Sequence, residues 1–145
     1  MVDKRIIEQV LAEQYEELVA LHNVELCSRK EEEQVDLDSN MAQVIIGVRR
    51  SGKSTLCFNV LKSLNEKFAY VNFDDERFSE LQTSDLNTVL EALYKIYGDF
   101  NHLFLDEIQN IDGWHLFVNR LLRQRMHIIV TGSNAKLLSG ELATH

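Results

Sequence analysis

Gly47-Val48-Arg49-Arg50-Ser51-Gly52-Lys53-Ser54 is the stretch from which the fold is read. It fits G-x-x-x-x-G-K-[ST] at every fixed position. It also follows the β-branched run Val44-Ile45-Ile46 and precedes a helical pattern over about residues 53–65, the strand-loop-helix setting that this pattern requires. The glycines let the backbone curl so that amides of residues 50–54 face phosphate oxygens, and the helix N-terminus adds partial positive charge. Gly47, Arg49, Arg50, Ser51, Gly52, Lys53, Ser54 and Thr55 are therefore the expected phosphate cradle. Lys53 contacts the β- and γ-phosphates, Ser54 offers its hydroxyl to magnesium, and Thr55 reaches the α-phosphate.

Outward from this loop, short apolar runs alternate with helical patterns. Residues 68–73, 103–105 and 128–130 read as further strands. Helices are expected over 85–97, with Ser84 as N-cap and Gly98 as the stop, and over 114–123. Nearly all-apolar strands separated by helices imply parallel strands buried on both faces and joined by right-handed crossovers, which is an α/β sandwich. Ahead of the loop, apolar residues between Lys4 and Leu21 recur at three- and four-residue spacing, giving an amphipathic helix whose other face is acidic. An acidic connector follows it. The chain thus divides into residues 1–40, the helix and its connector, and residues 41–145, the core.

His102-Leu103-Phe104-Leu105-Asp106-Glu107 is an apolar strand that delivers two carboxylates at its C-terminal edge, where ligands bind in parallel sheets. Asp106 is expected to hold the magnesium shell beside Ser54, and Glu107 to orient and polarise a water for in-line attack on the γ-phosphate. Adjacent acids also occur as a plain solvated strand end, but a phosphate loop needs a metal-holding acid. Ile128-Ile129-Val130-Thr131-Gly132-Ser133-Asn134 ends a strand in small polar residues. Ser133 or Asn134 either bonds the γ-phosphate or attacking water, or caps a helix beginning near Ala135.

Three quoted segments, residues 47–54, Leu105-Asp106-Glu107-Ile108-Gln109-Asn110 with Gly113-Trp114, and residues 131–139 from Thr131-Gly132-Ser133, together resemble the prokaryotic AAA+-type ATPases that carry a C-terminal domain of unknown function. The resemblance covers about residues 42–145. It implies a P-loop NTPase sheet of order 5-1-4-3-2, with Lys53 and Ser54 as Walker A residues, Asp106 and Glu107 as Walker B residues, and Ser133 at the sensor position. It further implies ATP and magnesium as ligands and slow ATP hydrolysis. In that family the chain continues past the position of His145 into a Gly-Arg element and a fifth strand, so the expectation here is a truncated core of four strands, order 1-4-3-2. The strand at 44–47 is then a sheet edge, which invites self-association. The lost Gly-Arg element would remove an arginine finger, for which Arg49, Arg50, Arg120, Arg123 or Arg125 are stand-ins, though such arginines by default face solvent or a surface carboxylate.

Composition bounds the remaining readings. The 145 residues are 45% apolar and 26% charged with net charge −8, enough apolar content for one folded core and too much for a disordered chain. Residues 1–40 carry 11 acidic and 4 basic side chains, so the acidity belongs to the N-terminal segment and opposes bulk attraction to nucleic acid. Cys27 and Cys57 form no disulfide framework or zinc spacing. No apolar stretch is long enough for a membrane span, and the start lacks a signal-peptide run, which places the chain in the cytoplasm. Trp114 reads as a core anchor rather than a base-stacking group, and His102 as the solvent end of its strand. Gln109 either reads the γ-phosphate or bonds its own loop. The Asp74-Asp75-Glu76-Arg77 turn carries no assigned chemistry. Rival functions are an ATP-holding regulatory switch with negligible turnover and a small P-loop phosphotransferase kinase; the paired carboxylates favour activated water over an acceptor hydroxyl. The client, whether protein or nucleic acid, is not legible.

Overall fold

A computed structural model describes residues 2–22, 43–46 and 67–132, with backbone alone at 21–22 and 43–46. The residues expected to form the phosphate loop, Gly47, Arg49, Arg50, Ser51, Gly52, Lys53, Ser54 and Thr55, the expected helix after them, and Ser133 and Asn134 lie outside the described residues.

The elements are α1 (Lys4–His22), β1 (Gln43–Ile46), β2 (Phe68–Asn72), α2 (Leu86–Tyr97), β3 (His102–Asp106), α3 (Trp114–Arg123) and β4 (His127–Gly132). The strands form one parallel sheet of order β1-β4-β3-β2, as the motif order requires. β3 lies inside the sheet and is buried at all five positions, which is why its sequence reads as an unbroken apolar run until the chemistry-bearing end.

Register decides what each face carries. Ala69, Leu103 and Ile128 align across three strands, as do Val71, Leu105 and Val130. These residues join Ile7, Val10 and Leu11 of α1, Leu86, Val89 and Leu93 of α2, and Trp114, Val118 and Leu121 of α3 in one hydrophobic cluster. Trp114 is the core anchor expected of it. The opposite face of the strands holds Tyr70, Phe104 and Ile129, also buried, and ends in Asp106 and Thr131.

α1 is fastened to the outer edge of β2 by an amide clasp. Gln14 Nε2 donates to the Asn72 carbonyl, and Gln14 Oε1 accepts from the Asn72 N–H, both at 3.0 Å. Further along, Arg77 pairs with Glu13 of α1 and, at 2.9 Å, with Asp75. The acidic turn at 74–77 therefore ties the N-terminal helix to the segment that leaves β2.

Two local expectations are corrected. Ser84 does not cap α2: a 3-10 turn at Thr83–Asp85 precedes the helix, and the Asp85 carboxylate reaches back to accept from Gln82 N–H at 3.0 Å while Asp85 N–H donates to the Gln82 carbonyl at 2.9 Å. This reciprocal pair places the aspartate, rather than the serine, at the boundary. His102 is buried rather than at a solvent end, because it is in register with His127 and the two rings stack at 4.8 Å. The stop at Gly98 is as expected, with φ at +75° and its N–H bonded to the Tyr94 carbonyl.

Candidate functional site

β3 ends in Asp106, and the chain then enters a left-handed residue, Glu107, with φ 58° and ψ 42°. A non-glycine residue there costs about 1–2 kcal/mol relative to right-handed backbone. The neighbours that hold it are specific. Glu107 N–H donates to Thr131 Oγ1 at 3.2 Å, Thr131 is wholly buried, and the same hydroxyl donates to Asp106 Oδ1. The other carboxylate oxygen, Asp106 Oδ2, accepts from the Tyr70 phenol at 2.9 Å. Asp106 and Glu107 are each 4% exposed, so two acidic side chains sit side by side out of solvent at the C-terminal edge of the sheet.

Charge explains why Tyr70 is a lasting donor. Burial, and then the adjacent Asp106 carboxylate, push the phenol far above its ordinary value, so it keeps its proton. Its ring meets Phe104 edge-on at 5.0 Å, which fixes the direction of the hydroxyl. The Glu107 side chain is held in turn by Gln109, whose Nε2 donates to Glu107 Oε2 at 2.7 Å.

The loop after Glu107 is pinned at several points. Ile108 and Ile111 are in the core, Asn110 Nδ2 donates to the Phe73 carbonyl at 3.3 Å, and the Thr83 hydroxyl donates to the Asp112 carbonyl. Gly113 then turns with φ at +75°, and a Cβ there would stand 2.7 Å from Thr83 Oγ1. Phe73 N–H bonds the Asp106 carbonyl at 2.9 Å, so the segments leaving β2 and β3 are knitted together beside the carboxylates.

β1 ends at Ile46, paired with Gly132 of β4, so the chain enters residue 47 from the edge where Asp106 lies. Asp106 and Glu107 are thus brought together with Tyr70, Thr131 and Gln109; of these, Tyr70 and Thr131 were not anticipated as site residues. The signal for them was register. Once strand order 1-4-3-2 is set, Thr131 comes one step beyond the Leu105–Val130 pair, level with Asp106, and Tyr70 lies diagonal to Asp106 on the same face. The arginine stand-ins on α3 are not at this edge. Arg123 is the last residue of α3 and Arg125 lies between α3 and the start of β4, the opposite end of the sheet, and Arg120 donates to Asn87 Oδ1 at 3.2 Å with its guanidinium over the Phe117 ring.

Among the described residues no group of three or more His, Cys, Asp and Glu could cage a metal. Magnesium does not need one, since it is held through one or two carboxylates with substrate phosphates and waters. Asp106 is of the donor type for that role, a carboxylate whose two oxygens are held in one orientation by the Tyr70 and Thr131 hydroxyls at the C-terminal edge of the sheet. No described helix is long and apolar enough to cross a membrane.

An AAA domain family matches residues 39–145. An uncharacterized protein of Methanocaldococcus jannaschii is 38% identical over 149 aligned residues, covering 99% of this chain and 32% of its own length. An uncharacterized protein of Haemophilus influenzae is 36% identical over 115 residues, covering 74% of this chain and 29% of its own. The chain therefore spans about a third of the length of the curated relatives it matches.

Proposed function

This chain belongs to the AAA domain family, a nucleotide-binding ATPase type, and from that premise we propose that it binds ATP with magnesium and hydrolyses it slowly. The observation that carries the reading is Glu107, a buried carboxylate held in left-handed backbone next to Asp106. Strained backbone that surrounding bonds over-determine is concentrated at functional sites.

In this reading Gly47, Arg49, Arg50, Ser51, Gly52 and Thr55 cradle the phosphates, and Lys53 neutralises charge at the β,γ-bridge. Ser54 and Asp106 are the residues that would hold magnesium, which supplies charge neutralisation on the phosphate oxygens when bound. Tyr70 and Thr131 keep the Asp106 carboxylate in one orientation by donating to both of its oxygens. Glu107 accepts a proton from the attacking water, while Ser133 contacts the γ-phosphate and reports its loss. Chemistry of this kind is almost entirely positioning and electrostatics, so an edge already built of fixed donors suits it.

The first experiment is calorimetric titration with magnesium and a non-hydrolysable ATP analogue, for the wild type and Lys53→Ala. Binding that disappears in the variant supports the phosphate site, and absence of binding by the wild type overturns it. Phosphate release is then compared with Glu107→Gln, where a fall of about 10²–10⁴ is expected for loss of a general base.

A further inference from the structure

Gln109 has one end of its amide engaged and the other idle. Nε2 donates to Glu107 Oε2 at 2.7 Å, whereas Oε1 is shut off from solvent and accepts no hydrogen bond among the described residues. Charge fixes which atom is which: a carboxylate only accepts, so the amine faces Glu107 and the carbonyl points away. The orphan oxygen is not the product of a loose loop. Ile108 and Ile111 are anchored in the core on either side, and Asn110 is bonded to the Phe73 carbonyl. A buried acceptor without a donor is unfavourable, and such exceptions mark places where a water or ligand is received.

We propose that Gln109 is a second catalytic residue, its Oε1 accepting one hydrogen of the attacking water while Glu107 accepts the other. The proposal rests on the hydrolysis reading above and deepens it. In the step, the water oxygen forms its bond to the γ-phosphorus, and the bond from that phosphorus to the bridging oxygen breaks, with ADP keeping the electron pair. One proton passes to the Glu107 carboxylate. The other hydrogen, held on Gln109 Oε1, stays on the oxygen that becomes part of inorganic phosphate. The Nε2 bond serves the same end by turning Glu107 and Gln109 into one rigid acceptor pair, so that the water is oriented by two fixed groups before it reacts. A glutamine suits this place better than a glutamate, because a third carboxylate beside Asp106 and Glu107 would add like charge to a buried site.

The test is a binding measurement first and a rate second. Affinity for magnesium-ADP is compared, by calorimetry, with affinity for magnesium-ADP plus aluminium fluoride, which mimics the planar phosphoryl group and its in-line water. Gln109→Leu should bind ADP within about twofold of the wild type but lose about tenfold to a hundredfold of the fluoride-dependent tightening, the scale of one hydrogen bond to a reacting group. Its kcat should fall by a similar factor with KM unchanged. Equal loss of ADP and fluoroaluminate binding would show a structural role and overturn the proposal, as would wild-type tightening in the variant. Wild-type phosphate release no faster than that of Glu107→Gln would overturn the hydrolysis reading and this one with it. Should Gln109→Leu fail to fold, the wild type labelled with 15N-glutamine decides. A Gln109 side-chain amide signal that moves when fluoride is added to magnesium-ADP supports the proposal, and an unmoved signal overturns it.

Discussion

The Thr131 hydroxyl joins two residues of the neighbouring strand end at once, donating to the Asp106 carboxylate and accepting from Glu107 N–H at 3.2 Å. One buried oxygen thereby sets both the direction of the carboxylate and the left-handed turn that follows it. Thr131→Val keeps the shape and removes both bonds, leaving two buried polar groups without this partner. We expect a loss of about 1–3 kcal/mol in urea unfolding and at least a tenfold fall in phosphate release. Thr131→Ser should restore most of both.

Tyr70→Phe removes the second donor to Asp106. The expected cost is about 1–2 kcal/mol at neutral pH. Its pH dependence has a definite sign. Burial raises the folded phenol above its unfolded value of about 10, so the stabilisation is complete below that pH and is lost progressively as pH rises from there toward the higher folded value. Denaturation midpoints between pH 8 and 11 should fall more steeply for the wild type than for Tyr70→Phe. Tyr97, raised chiefly by burial as well, leaves a residual slope in the variant.

Asp75 acts on the acid side. Its hydrogen bonds from Arg77 hold the carboxyl below its ordinary value, against the opposing effect of desolvation. The contribution is present above the unfolded value of about 3.9 and is lost as pH falls toward the lower folded one. Asp75→Asn should melt below the wild type at pH 7, and the gap should narrow as pH falls below about 3.9. The gap should also shrink with added salt, since the guanidinium is at the surface.

Gly98 and Gly113 share φ of +75° but not their surroundings. A Cβ at Gly98 meets nothing within 4 Å, whereas at Gly113 it meets Thr83 Oγ1 at 2.7 Å. Gly98→Ala should cost about 1–3 kcal/mol from backbone strain alone, since its ψ of −154° lies in a region essentially confined to glycine, whereas Gly113→Ala, in left-handed backbone, should cost about 1–2 kcal/mol of strain with the collision added to it, both read by chemical denaturation. Adding Thr83→Ala to Gly113→Ala should recover part of the collision cost, because it removes the colliding atom, even though the Thr83 bond to the Asp112 carbonyl goes with it.

The sheet was legible because three of its four strands carry a signature: β1 leads into Gly47-Val48-Arg49-Arg50-Ser51-Gly52-Lys53-Ser54, β3 ends in Asp106-Glu107, and β4 ends in Thr131-Gly132. Residues whose role depends on contacts across strands were harder to read. Thr131 became visible only when β4 was laid beside β3, and Tyr70 looked like one more apolar strand residue until its phenol was seen on Asp106. His102 was misread for the same reason, since its burial comes from His127, a partner 25 residues away in sequence. The cap of α2 was read one residue early because Ser84 and Asp85 are both capping residue types, and only the fold shows that the side chain reaching back belongs to Asp85. Glu107 and Gln109 were named from the sequence, but neither the left-handed backbone of the one nor the idle carbonyl of the other has a sequence signature.

Gln14 behaves toward Asn72 as a passing strand would, presenting one donor and one acceptor to the outward backbone of β2. The Tyr97 hydroxyl does the same for the Tyr70 carbonyl at 3.5 Å. A guest peptide seeking to lengthen the sheet at this flank finds its docking groups already engaged by side chains of α1 and α2. Among the described strands, recruitment of a foreign strand is therefore directed to the flank of β1, the strand that leads into the proposed phosphate loop.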